Sequence, residues 1–151
     1  MGERCYCGKR GCVSCYASTL AISENIRHRI KAGETTLINV MPQYINYRHV
    51  LSAAEKGDKL AIEELQRAGS YFGIGLANYI TLLNPEYVVI DGPLVINSDI
   101  YYEAAVKAAK ENTYMSSGLI YKKGGSFGHE TIAVGAAAMF FEKYIGSAVM
   151  E

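Results

Sequence analysis

The chain has 151 residues, half of them apolar and a fifth charged, which suits one compact unit or one lobe of a larger body. Fifteen basic residues balance fifteen acidic ones, so no overall field draws the chain to nucleic acid or an anionic membrane. No apolar run approaches the roughly 20 residues of a spanning helix, and no leader pattern opens the chain, so a cytoplasmic protein without membrane contact is expected.

All four cysteines fall in the first fifteen residues, as Cys5-x-Cys7, four residues, then Cys12-x-x-Cys15, with Gly8 and Gly11 between. Thiolates gathered this tightly read as ligands converging on one soft cation, and Zn2+ prefers such a shell. Disulfide pairing is the competing reading, and a reducing compartment favours metal. Spacing alone leaves the ligand set open.

From Ser14 to about Ala32, Tyr16, Leu20, Ile22, Ile26 and Ile30 recur at helical spacing, and Gly33 stops the run. The basic cluster from Arg27 to Lys31 reads as the positive end of that helix rather than a DNA footprint. Pro42 opens a second helix to about Lys56, ended by Gly57. Asp58 caps the longest helix, to about Leu83, on which Gly69 and Gly73 stand four apart and predict a groove where another element approaches closely. Asn84-Pro85 ends it.

Tyr87 to Ile90 is a β-branched run that predicts a strand covered on both faces. Asp91-Gly92-Pro93 turns the chain, and a helix from about Ser98 to Asn112 follows with a small-residue face of Ala104, Ala105, Ala108 and Ala109. Leu119 to Lys122 reads as another strand, residues 124–128 as a loop, and Glu130 to Tyr144 as the last helix. Strands alternating with helices predict an α/β layer built on parallel pairing.

Chemistry beyond the cysteines is sparse. Asp91 sits at the carboxyl end of a strand, where open α/β sheets bind ligands, and could orient a hydroxyl or a Mg2+-bound phosphate; a turn made for backbone reasons explains it too. The glycines of 124–128 lack the lysine ending of a phosphate loop. His129-Glu130 reads as a helix start rather than an acid–base pair, and His28 and His49 read as solvated.

Cys5-x-Cys7-Gly8-x-x-Gly11-Cys12, followed by Tyr16-Ala17-Ser18, resembles the signature of the ROK family of bacterial sugar kinases and sugar-responsive repressors. Leu76 to Glu86 is similar to that family's long helix entering its core strand, Val88 to Gly92 to the strand and its turn, and Gly135-Ala136-Ala137 to the start of its closing helix. The resemblance implies an actin-like ATPase fold of the ribonuclease-H type, a mixed sheet flanked by helices. It implies that residues 1–151 form one C-terminal lobe, with a zinc-binding loop and helix start over 1–15 and an α/β body over 16–151. The N-terminal lobe, with the phosphate-binding glycines and catalytic aspartate, and any DNA-binding helix-turn-helix would lie outside it.

The resemblance also marks where this chain departs. The family places a glutamate at the position of Ser14, where it binds sugar hydroxyls, and a glycine at the position of Asp91, whose turn with Gly92 passes near the nucleotide. An upstream histidine normally joins three cysteines on zinc. Here Cys5, Cys7 and Cys12 match those three, and Cys15 is either the fourth ligand or a small buried residue.

No catalytic residue is expected in this chain. The expected function is the sugar-sensing and dimerisation lobe of a ROK-type transcriptional regulator, holding Zn2+, a sugar or sugar phosphate between lobes, and a second copy. The alternative is the C-terminal lobe of a glucokinase- or fructokinase-like enzyme using ATP and Mg2+. A third reading is a structural dimerisation module built on the Gly69–Gly73 groove.

Overall fold

The computed structural model describes residues 2–114, 118–125 and 130–144. In chain order it runs α1 (Ser14–Ala17), α2 (Thr19–Lys31), a 3-10 turn (Pro42–Tyr44), α3 (Tyr47–Glu55), α4 (Lys59–Leu83), β1 (Tyr87–Ile90), α5 (Pro93–Asn97), α6 (Asp99–Asn112), β2 (Ile120–Lys123) and α7 (Thr131–Tyr144). The architecture is mixed α/β, with helices around a small parallel sheet.

The single helix expected over 14–32 is broken at Ser18. Its backbone is extended, at φ −81° and ψ 163°, and its hydroxyl accepts from the Ala21 N–H at 3.1 Å. Apolar spacing runs through this point, but a serine that caps the next turn offers the backbone an alternative to continuing. The helix expected from Pro42 is likewise two pieces. Ile45 is extended, and α3 begins afresh at Asn46, whose side chain accepts from the Arg48 and His49 N–H groups while His49 Nδ1 accepts from the Asn46 N–H. His49 therefore closes a capping box, a role its solvated reading missed.

Asp58 caps α4 as the sequence predicts, its carboxylate accepting from the Ala61 N–H at 3.0 Å. The same carboxylate takes the Thr36 hydroxyl and the Leu37 N–H, each at 2.5 Å, so it also fastens the preceding loop. Arg27 reaches the Ile45 carbonyl and Arg29 pairs with Glu34 and Glu63, which assigns these cations to intramolecular contacts.

The Gly69–Gly73 groove exists, and α6 fills it. A Cβ at Gly69 would lie 2.4 Å from the Tyr101 carbonyl oxygen, and one at Gly73 2.2 Å from that of Ala105. Ala104 and Ala108 supply the facing small side chains, so the helices close backbone to backbone. This corrects the third reading: the groove is occupied within the chain and offers no surface for a second copy.

Ile22 and Ile26 of α2, Val50 of α3, Leu65 of α4, Ile90 of β1 and Leu94 of α5 meet in one core. Each such aliphatic contributes about 1.5–3 kcal/mol on leaving water. β1 and β2 pair in parallel, from Tyr87 opposite Ile120 to Ile90 opposite Lys123. The strand expected to be covered on both faces alternates instead. Ile90 is buried and Val88 half-buried, while Tyr87 and Val89 remain 64% and 53% exposed. Among the described residues the core covers one face only. A fifth α-helix between the Asp91 turn and α6 was not expected; Pro93 at its first turn starts it. Residues 126–129 of the expected loop and helix start lie outside the described residues.

Candidate functional site

The cysteine segment folds as a miniature hairpin. Arg4 bridges Arg10, the Cys5 N–H donates to the Lys9 carbonyl at 2.8 Å, and the Gly11 N–H donates to the Glu3 carbonyl at 2.9 Å. Gly8 and Gly11 take φ of 87° and 76°, a left-handed backbone that a side chain would strain. These two turns bring the sulfurs of Cys5, Cys7 and Cys12 within 4.8 Å of one another, and such a cluster could hold a metal ion. Cys7 and Cys12 sulfurs are 3.6 Å apart.

The thiols hold their protons unequally. The Cys7 backbone N–H directed at its sulfur, helped by the Cys7, Ser14 and Cys12 side chains, draws Cys5 down to about 6 against the opposing pull of burial. Hydrogen bonds with Cys7 and Cys5 push Cys12 up to about 11. Burial, and then Cys5, raise Cys15. Cys15 is not one of the three converging sulfurs; it borders a polar cleft of about 440 Å³ with Glu24, Asn25, His28 and Arg67, which Ser14 and Ser18 also line.

An aromatic strut seats this loop on α4. The Tyr16 hydroxyl accepts from the Glu3 N–H at 2.7 Å, and its ring stacks on Tyr71 at 4.8 Å. Arg67 lies over Tyr71 and forks onto Glu64, with contacts of 2.9 and 2.6 Å. Glu64 is fully buried and also accepts from Asn25 of α2. Gly75 gives room for Val13, whose methyl would stand 2.9 Å from a Cβ there.

On the other side of α1, Ser14, Ser18, Asp91, Gly92, Phe72 and Tyr101 line a cleft of about 390 Å³. The structure thus brings together two candidates far apart in sequence, Ser14 and the Asp91-Gly92 turn. Gly92 has φ 132° and ψ 165°, a conformation essentially restricted to glycine. Asp91 Oδ1 accepts from the Gly92 N–H at 2.6 Å, so part of that carboxylate serves the turn itself. Ser14 Oγ is 3.7 Å from the Cys5 sulfur, which links the cleft to the thiol cluster.

Tyr101 was not a sequence candidate. Its hydroxyl donates to the Ala17 carbonyl at 3.0 Å across the cleft wall, and burial raises its phenol far above the ordinary range. Nothing local marks it, because its partner lies 84 residues away. Asn25 escaped for the same reason, since its partner Glu64 lies 39 residues on. The Glu64–Arg67 pair, by contrast, is a local i,i+3 contact whose spacing was visible in the sequence. Among the described residues no helix is long and apolar enough to cross a membrane.

The sequence model of the ROK family matches residues 1–143. The chain is 34% identical over 94 residues to the DNA-binding transcriptional dual regulator NagC of Escherichia coli strain K12, covering 62% of this chain and 23% of that protein. It is 31% identical over 104 residues to the glucokinase of Thermotoga maritima, covering 67% of this chain and 33% of that enzyme. The crystal structure of a ROK family transcriptional regulator, a homologue of the E. coli MLC protein, superposes with a TM-score of 0.73 at 30% identity, over 87% of this chain and 33% of that one. The chain therefore spans only about a quarter to a third of these relatives. With its cysteine signature, its α4-to-β1 passage and all but the last residue of its final helix inside the matched span, the chain belongs to the ROK family.

Proposed function

We propose that the chain is the C-terminal, sugar-sensing lobe of a ROK-type transcriptional regulator, with an actin-like body and a zinc-bound loop. One observation carries this reading: Ser14, Asp91 and Gly92 line one cleft between α1 and the end of β1. Ser14 offers a hydroxyl to a sugar, and the free oxygen of Asp91 can accept another. Asp91 is the one carboxylate on that cleft among the described residues, and it already serves its own turn. That arrangement suits holding and orienting a polyol better than taking a proton from it.

The donor set fits Zn2+. Zn–S bonds of about 2.3 Å put tetrahedral sulfurs about 3.8 Å apart, close to the 3.6 Å between Cys7 and Cys12. Cys5, Cys7 and Cys12 would hold the ion, and Cys15 is proposed as the fourth ligand. The metal supplies cross-linking of the loop rather than chemistry on the ligand. Loss of one zinc equivalent, or a clear fall in affinity, in Cys15→Ala supports the fourth ligand; unchanged stoichiometry and affinity remove it.

In the regulator, a sugar or sugar phosphate closing on this cleft from the other lobe would shift the population of lobe angles and so the spacing of DNA-binding segments in a dimer. The protein would act in the cytoplasm. The likeness to a glucokinase favours a second reading, the same lobe in an ATP- and Mg2+-dependent hexose kinase. The full-length protein separates them. Sugar-dependent release from operator DNA without ATP consumption is expected; sugar-dependent ATP turnover would overturn the regulator, and no thermal shift with any sugar would overturn both.

A further inference from the structure

Ser14 stands between two sites. Its Oγ lies 3.7 Å from the Cys5 sulfur, and the same residue lines the 390 Å³ cleft. Between a hydroxyl and a thiol, either atom can be the donor. A metal on Cys5 removes that freedom, because a metal-bound thiolate carries no proton.

We propose that Ser14 is a positioning residue of the metal shell, donating its single proton to the Cys5 thiolate and so presenting only oxygen lone pairs to the cleft. A serine hydroxyl has one donor and two acceptor sites. Once its proton is committed to sulfur, Ser14 becomes an acceptor, with the polarity of a carboxylate but without its charge. The ligand group opposite it must then be a donor, a sugar hydroxyl or amide N–H, and not a phosphate oxygen. This second half rests on the sugar-binding reading; the first half does not. Metal occupancy and ligand choice are coupled through one hydrogen atom.

Zn2+ titrated into the full chain against a chromophoric chelator tests the first half. Outer-shell partners are commonly worth about tenfold or more in metal affinity, so Ser14→Ala should bind Zn2+ about tenfold more weakly while Ser14→Thr stays within about threefold of wild type. In the Co2+-loaded chain, the sulfur-to-cobalt charge-transfer band should move to lower energy in Ser14→Ala and stay in place in Ser14→Thr. Because Ser14 is exposed on the first turn of α1, alanine there keeps the fold, which far-ultraviolet circular dichroism checks. Equal Zn2+ affinity and an unmoved band in the alanine variant overturn the proposal, as does a wild-type chain that binds no Zn2+.

For the second half, glucose and its monodeoxyfluoro analogues are titrated calorimetrically into zinc-loaded protein. Fluorine accepts but cannot donate, so one position should weaken binding in wild type and not in Ser14→Ala. No position with that dependence overturns the acceptor role. A Ser14 effect on zinc with no glucose binding would support the metal-shell role and count against the sugar-binding reading instead.

Discussion

The carbonyl oxygen of Ala105 occupies the space that a side chain on Gly73 would need, 2.2 Å from where its Cβ would stand. Alanine normally stabilises a helix over glycine by about 1 kcal/mol. Here the obstacle is backbone, which cannot rotate aside, and overpacking of this kind typically costs about 1–3 kcal/mol or more. Gly73→Ala should therefore lower the free energy of unfolding by about 3 kcal/mol in a denaturant titration. Gly135→Ala on α7, where a Cβ meets nothing within 4 Å among the described residues, should be neutral or stabilising by up to about 1 kcal/mol.

Asp58 is nearly buried, and burial alone would raise its carboxyl. The Thr36 hydroxyl and the N–H groups of Leu37, Ala61 and Leu60 outweigh that and hold it below the usual range. A depressed carboxyl contributes stability that is present above its unfolded value of about 4 and lost as pH falls through the lower folded value. Asp58→Asn should thus be less stable than wild type by about 1–2 kcal/mol at neutral pH. That gap should narrow below about pH 4. A gap constant across pH 2 to 7 would show that the charge contributes nothing.

Glu64 has no exposed side-chain surface, and its two oxygens rest on Arg67 and Asn25. Removing one partner of a buried pair costs about 3–5 kcal/mol because the other charge stays behind. Arg67 is 35% exposed, so Arg67→Ala should fall at the low end, about 3 kcal/mol. Changing both residues to alanine should cost less than the sum of the single changes, measured by a double-mutant cycle.

Tyr101→Phe removes a buried donor and leaves the Ala17 carbonyl without it. The expected loss is about 1–3 kcal/mol in chemical unfolding. Amide exchange should quicken in α1 and at Ser18 while the α4 and α6 cores stay protected.

Much of the helical frame was legible because single residues end or start helices: Gly33, Gly57, Asp58 and the Asn84-Pro85 pair all act where the sequence placed them. The cysteine cluster was legible because four thiols crowd into eleven residues and the glycines between them permit the left-handed turns that close the loop. The break at Ser18 was not, since apolar spacing continues through it and the residue that takes the Ala17 carbonyl arrives from α6. The one-sided sheet was hidden because a β-branched run looks alike whether one face is covered or two. The cleft itself could not be read from Ser14 or Asp91 alone, because only the packed α1, β1 and α6 put them together.

Tyr101 is held at both ends. Its carbonyl faces the bare Cα of Gly69, and its phenol tip carries Ala17 at the α1 break. One residue thus ties the α4–α6 seam to the rim of the cleft. A packing change in the α4–α6 seam should therefore reach the cleft rim through the Tyr101–Ala17 hydrogen bond.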